Sequence, residues 1–341
     1  MTKKSFKLRP IVILAVVLMA SSFYTLPYYV SKPGMAKELE PIIQVENGYD
    51  EEGTFMLTTV RMGKANIYSY LMAKASKYQK IYPEAVIRGE DETEEEYATR
   101  QLHLMDTSKL NAIEVSYKKA GIPVDYHYKG VYVLNVFPGM PAEGKLMPGD
   151  RIIKIDDRTF SSSASFIDFV NEKKVGDTIK LSIERNDSPK EVTITVATFP
   201  ESPSKKGVGI ELVEDKEIIV KPEVKVNTDE IGGPSAGLMF SLEIYNQLTK
   251  EDLTRGYNIA GTGTITSDGI VGPIGGIEQK IVAADKVGAD IFFAPNENGE
   301  KDSNYNAAIK TAKDIKTKMK IIPIDTFDEA VEYLVKLTAK K

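Results

Sequence analysis

Along the 341 residues the rhythm of apolar and polar positions changes several times. Residues 11–30, IVILAVVLMASSFYTLPYYV, carry no charge. From 42 to 63, IIQVENGYDEEGTFMLTTVRMG predicts two short strands around an NGYDEEG turn. ANIYSYLMAKASKYQKI then predicts a helix with Ile67, Tyr70, Leu71 and Ala75 on one face. An acidic run at 90–96 reads as the solvated start of a second, long helix over 92–119, with Gly121 and Pro123 as its stop signals.

Near 125 the pattern shifts to short β-branched strands separated by Pro, Gly and Asp turns, with one helix in SSASFIDFVNEK. Gly149 and Asp150 make a turn before a strand whose Ile152, Ile153 and Ile155 supply core. Past 200, GVGIELV and EIIVKPEVKV predict strands that lead into a helix beginning PSAGLMFSLEIYNQL. NIAGTGTITSDGIVGPIG predicts a hairpin about Asp268 and Gly269, and GIEQKIVAADKVGA a helix stopped by Gly288. IFFAP, a helix near 303–318, KIIPI and a last helix from Thr326 complete the chain. Alternating strands and helices argue for an α/β or α+β domain, and α+β is the class expected for the chain.

Composition removes several chemistries. The chain has no cysteine, which excludes disulfides, thiol nucleophiles and zinc ribbons. Its two histidines, His103 and His127, lie in no metal-ligand pattern, so no metal or other cofactor is expected. A net charge of −5 without a basic stripe argues against nucleic acid as a partner. No G-x-x-x-x-G-K-[ST] phosphate loop occurs.

The amino end predicts an address. MTKKSFKLRP holds four basic and no acidic residues ahead of the uncharged run. Twenty helical residues rise roughly 30 Å, the thickness of a bilayer core. The reading is a cytoplasmic tail at 1–10, a single-pass transmembrane anchor at 11–30, and an extracytoplasmic remainder on the cell membrane. A cleaved signal peptide is the alternative, since LMASS offers small residues after a short apolar core.

Candidate chemistry centres on DEIGGPSAG, residues 229–237, where a tight bend holds Ser235 near the start of an apolar helix. A serine there also serves as an ordinary helix cap. With no thiol and no histidine nearby, a serine nucleophile needs another base, and lysine can serve where burial keeps it uncharged. Lys280 lies on the inward stripe of Ile277, Ile281 and Ala284, whereas Lys286 points elsewhere. A lysine on such a stripe also snorkels from the edge in many helices. Serine with lysine as its base is an established form of nucleophilic catalysis.

Two resemblances follow from these motifs. PGMPAEG, LMPGDRIIKIDDRTF, a short helix and a closing strand pair resemble a PDZ domain, placed at 125–200, which implies extended peptides as ligands. The usual glycine-rich carboxylate-binding loop is replaced by HYKGVYVLNV around Gly130. GGPSAG, then GTGTITSDG, then the lysine of GIVGPIGGIEQKIVAA resemble the proteolytic domain of the Lon family of serine peptidases, placed at 201–341. That resemblance implies Ser235 as nucleophile, Lys280 as general base and Thr262 as the lysine's hydrogen-bond partner. Gly233, Pro234 and Ala236 support them, Ala236 through an N–H for an oxyanion hole. Thr264 stands where the common pattern has an acidic residue.

The whole layout resembles the membrane-anchored PDZ and Lon-like peptidases of Gram-positive bacteria, the YlbL/SepM type. It implies an extracytoplasmic serine endopeptidase that cleaves peptides or unfolded segments, recruited in part by the PDZ domain, without the ATPase motor of larger relatives. Lon-like domains commonly form rings, so a homo-oligomer is a further implied partner. The fold expected is a Lon-type proteolytic domain with an inserted PDZ domain and an N-terminal transmembrane helix, residues 31–124 associating with the peptidase part. The alternative is an inactive PDZ scaffold or binding protein on the membrane surface.

Overall fold

The computed structural model describes residues 8–88, 92–186, 188–200, 202–228 and 231–340. Most of the basic tail read at 1–10, the acidic Glu90 and Asp91, and Asp229 and Glu230 ahead of the Ser235 bend lie outside the described residues.

The first stretch holds α1 (Leu8–Ser22), β1 (Thr25–Glu38), β2 (Ile43–Val45), β3 (Thr54–Asn66), α2 (Ile67–Ala75), β4 (Lys80–Pro83), α3 (Glu84–Ile87) and α4 (Glu94–Lys119). The middle holds β5 (Asp125–Val136), β6 (Arg151–Ile155), β7 (Arg158–Thr159), α5 (Ser163–Glu172), β8 (Thr178–Arg185), β9 (Ser188–Thr195), β10 (Ala197–Phe199), β11 (Ser202–Gly207) and β12 (Ile210–Ile219). The last holds β13 (Val224–Val226), α6 (Gly237–Leu248), β14 (Asn258–Gly261), β15 (Thr264–Ile265), β16 (Val271–Gly272) and α7 (Ile277–Lys286). β17 (Ile291–Pro295), α8 (Asn304–Ile315), β18 (Lys320–Ile324) and α9 (Phe327–Val335) complete it.

One six-stranded sheet, ordered β18-β17-β14-β3-β1-β4, joins the first stretch to the last. β3 runs parallel to β14 and antiparallel to β1, so strands 200 residues apart in sequence are neighbours. Successive side chains of a strand face opposite ways. Phe55 and Leu57 therefore join the core beneath α4 and α6, and Met56 the core beneath α7 and α8. All three side chains are buried.

The middle stretch forms its own sheet, ordered β12-β5-β6-β8-β9, around Val131, Val133, Ile152, Phe166, Ile179 and Leu181. Its ends meet: Asp125 pairs with Ile219 across the β5–β12 ladder. Such adjacency lets a folded unit be inserted into a host chain at little cost.

Four expectations change. The apolar run 11–30 is not one helix: α1 stops at Ser22, and residues from Thr25 belong to β1. Thr25, Tyr28, Tyr29 and Val30 suit a pleated strand, Pro27 lacks the helical N–H, and Tyr29 pairs with both Lys64 and Tyr82. At 15 residues α1 rises roughly 22 Å, and no helix among the described residues is long and apolar enough to cross a membrane. The strands of 42–63 do not form a hairpin, because β2 pairs with β13 instead of β3.

In α2 the inward residues are Tyr70 and Ala73, and Ile67 and Leu71 are exposed. The boundary at 200 also moves, since β12 completes the middle sheet as its edge strand. Hydrophobic periodicity alone cannot assign a strand to one of two sheets.

A fragment starting at residue 205 keeps Ser235, Thr262 and Lys280 but lacks β1 and β3, leaving one whole edge of β14 without a partner. We expect it to show no cooperative thermal transition by circular dichroism and no protected β14 amides in hydrogen exchange. A cooperatively melting, protected fragment would contradict the shared sheet.

Candidate active site

The bend before α6 begins with Gly233, whose φ of +89° lies in the left-handed region that glycine occupies without strain. Pro234 and Ser235 follow. The helix starts at Gly237, so Ser235 stands two residues ahead of α6 and not within its first turn, as GGPSAG had suggested. Tertiary bonds delay the helix. Ser235 O accepts from Gly263 N at 2.9 Å and Gly263 O from Leu238 N at 3.1 Å, before the helical ladder opens with Phe240 N donating to Ala236 O.

Lys280 enters from α7 on the stripe with Ile277, Ile281 and Ala284, all buried. It is 1% exposed, and its Nζ lies 2.7 Å from Ser235 Oγ. Thr262, fully buried at the end of β14, closes the arrangement. Lys280 Nζ donates to Thr262 Oγ1 at 2.8 Å, and Thr262 Oγ1 donates to Ser235 O at 2.8 Å. The threonine proton is thus committed, so its oxygen must accept from the amine. A neutral amine held through one N–H in this way can turn its lone pair to Ser235 Oγ.

Burial lowers the Lys280 pKa from its ordinary value to about 7, because the ammonium loses its hydration. No carboxylate among the described residues forms an ion pair with it. An acid there would favour the charged form. Thr264 is consistent with this: it pairs with Gly272 in the β15–β16 hairpin.

Ser235 itself is half-buried, and Ala236 is buried. Among the described residues, no group of three or more His, Asp or Glu is placed to hold a metal ion.

The sequence reading missed the contribution of α4. Gln101 O accepts from Gly233 N at 2.8 Å, Ser108 Oγ donates to Pro234 O at 3.0 Å, and Asn111 Nδ2 donates to Ile265 O at 2.8 Å. A signal existed: Ser108 falls on the inward stripe of Met105, Ala112 and Val115, as Lys280 does on its own helix.

Comparisons with known proteins place these features in two domain classes. Residues 119–196 match the family model of the PDZ domain, and residues 177–337 that of the Lon protease (S16) C-terminal proteolytic domain. The two spans overlap at 177–196, where the structure assigns β8 and β9 to the PDZ sheet. The chain thus carries a PDZ domain and a Lon-type proteolytic domain, which supports a serine-type peptidase.

Among curated relatives, Lon protease of Campylobacter concisus is 38% identical over 120 residues, covering 35% of this chain and 13% of its own length. Lon protease of Mesomycoplasma hyopneumoniae is 30% identical over 159 residues, covering 46% of this chain and 17% of its own. The chain thus spans less than a fifth of either relative. The PDZ domain of the SdrC-like protein of Listeria monocytogenes is 39% identical, covering 26% of this chain and 90% of that one, with a TM-score of 0.24.

The geometry predicts a pH dependence with a definite sign. A lysine base must be neutral, so peptide cleavage should rise with pH through about 7 and then level off. Thr262→Val removes an oxygen that stabilises the ammonium more than the amine. It should move the midpoint to lower pH while lowering the plateau about tenfold or more, as misoriented base catalysis does. Steady-state rates across pH 5–9 check both, and a flat wild-type profile would contradict the lysine base.

Proposed function

We propose that the protein is a membrane-anchored serine endopeptidase that cleaves peptides or unfolded protein segments with a Ser235–Lys280 dyad. The observation that carries this reading is the contact of a buried, uncharged-leaning amine with Ser235 Oγ at 2.7 Å. In the first step Lys280 Nζ takes the hydroxyl proton as Ser235 Oγ bonds to the scissile carbonyl carbon. Negative charge on the carbonyl oxygen is met by the backbone N–H groups of Ser235 and Ala236. The intermediate collapses by breaking the C–N bond, and Lys280 passes its proton to the leaving amine. Water, deprotonated by the same lysine, then attacks the acyl-enzyme and releases Ser235.

The PDZ domain supplies a second place for extended chain. β12 is the edge strand of its sheet, with α5 alongside, where Ser163 N donates to Glu214 Oε1 at 3.1 Å. The glycines of GVGIELV lead into this edge, which makes it a better candidate for strand addition than the Gly130 segment. Residues 8–23 support attachment to a membrane: Val12, Ile13, Val16, Met19 and Phe23 are exposed apolar side chains. With the basic tail, they favour an extracytoplasmic catalytic part on the cell membrane. No nucleotide is required by this mechanism.

The test is full-length protein in detergent, incubated with an unstructured protein and followed by mass spectrometry, with and without ATP. Cleavage should proceed equally without nucleotide, and Ser235→Ala should reduce it by about a thousandfold or more, since nucleophile and base act as a unit. Undiminished cleavage by the Ser235→Ala protein would refute the reading.

A further inference from the structure

Around Ser235 the oxygens of Pro234 and Ser235 have hydrogen-bond partners, whereas two backbone donors stand open. Pro234 O accepts from Ser108 Oγ. Ser235 O accepts from Thr262 Oγ1 and Gly263 N. Among the described residues, no backbone oxygen accepts from Ser235 N or Ala236 N.

Peptide planarity turns this into a statement about direction. In a trans peptide the C=O and the N–H point opposite ways. The Pro234–Ser235 bond is not among the cis peptides. Since Pro234 O is drawn toward α4, the N–H of Ser235 must point away from α4. A flipped peptide would aim the carbonyl oxygen where the N–H now points, and a developing oxyanion would meet a negative dipole.

Ser108 is suited to hold that peptide. It is 2% exposed, and Gly237 approaches it so closely that a Cβ there would come within 2.8 Å of Ser108 Oγ. Serines inside helices commonly turn back to the carbonyl four residues earlier. Ser241 does so, to Gly237 O, and Ser116 lies within reach of both Ala112 O and Ser241 O, whereas Ser108 reaches across to the bend. Gln101, two turns earlier on α4, fixes the Gly232–Gly233 peptide by accepting from Gly233 N. The same helix therefore grips both sides of Gly233–Pro234.

We infer that Ser108 is a positioning residue for catalysis: its hydroxyl fixes the Pro234–Ser235 peptide so that the Ser235 N–H serves the oxyanion. The inference rests on the serine-peptidase reading above. Ser108 touches no reacting atom, and its effect passes wholly through the peptide plane. Losing it frees the plane to rotate without removing the donor.

The experiment uses full-length wild type, Ser108→Ala, Ser108→Cys and Ser235→Ala with a fluorogenic peptide and a peptide boronic acid, whose tetrahedral adduct with serine mimics the transition state. Deleting one oxyanion donor costs about 100- to 1,000-fold in kcat, so loosening one should cost about 10- to 100-fold. For Ser108→Ala we expect that loss in kcat, a matching loss in boronate affinity, KM within about twofold, and an unchanged pH midpoint. Ser108→Cys, a weaker donor at the same place, should fall between.

A merely structural role would change melting temperature and all kinetic constants together, without the kcat-against-KM split. Wild-type kcat and boronate affinity in folded Ser108→Ala would overturn the inference. Should that variant fail to fold, unchanged kcat in a folded Ser108→Cys protein would overturn it equally. If Ser235→Ala remains active, the peptidase reading and this inference fall together. If Ser235→Ala is dead and Ser108→Ala is fully active, only the inference falls.

Discussion

The cost of hiding one amine from water governs the rest of this structure. Lys280 sits fully buried and, among the described residues, no carboxylate is ion-paired to it, so charge is disfavoured and its pKa falls to about 7. An ion pair would have been the simpler way to bury a lysine, but it would have fixed the proton on nitrogen. Two hydroxyls surround the amine instead. They satisfy its hydrogen bonding while leaving its protonation state free to change.

Holding those hydroxyls requires elements far apart in the chain. Thr262 comes from the end of β14, whose place is fixed by β3 on one side and β17 on the other. Lys280 comes from α7, packed on the face of the same sheet through Ile277 and Ile281. Ser235 comes from the bend before α6, on the opposite face, tied by α4 from outside and by Gly263 from inside. Thr262 lies just past the end of β14, inside the sheet order, and the Ser235–Lys280 contact forms there between the two layers of helices. The PDZ unit leaves and rejoins the chain at Asp125 and Ile219, so this arrangement is not interrupted by it.

The site's chemistry was legible in the sequence because polar residues on an apolar stripe are conspicuous. Lys280 was visible in that way, and Ser108 was equally visible on α4 but carried no motif to draw attention to it. The bend at Ser235 could be read from Gly233 and Pro234, though not the two-residue delay before α6, which depends on Gly263 across the fold. Sheet membership was the least legible level. β2 finds its partner at Val224–Val226, and GVGIELV joins a sheet whose other strands precede it. The apolar run at 11–30 hid a boundary for a related reason: Tyr29 and Val30 are buried in a strand, with Leu26 and Tyr28 partly buried, and burial by protein reads in sequence much as burial in lipid does.

The most direct measurement of the central claim is the titration of Lys280 itself. In full-length protein carrying carbon-13 at the lysine Cε, the Lys280 resonance can be assigned by its loss in Lys280→Arg and followed with pH. The account predicts a midpoint at about 7. A Lys280 midpoint near 10, the ordinary value for a solvated amine, would mean that the group is charged where it must act as a base, and would contradict the account.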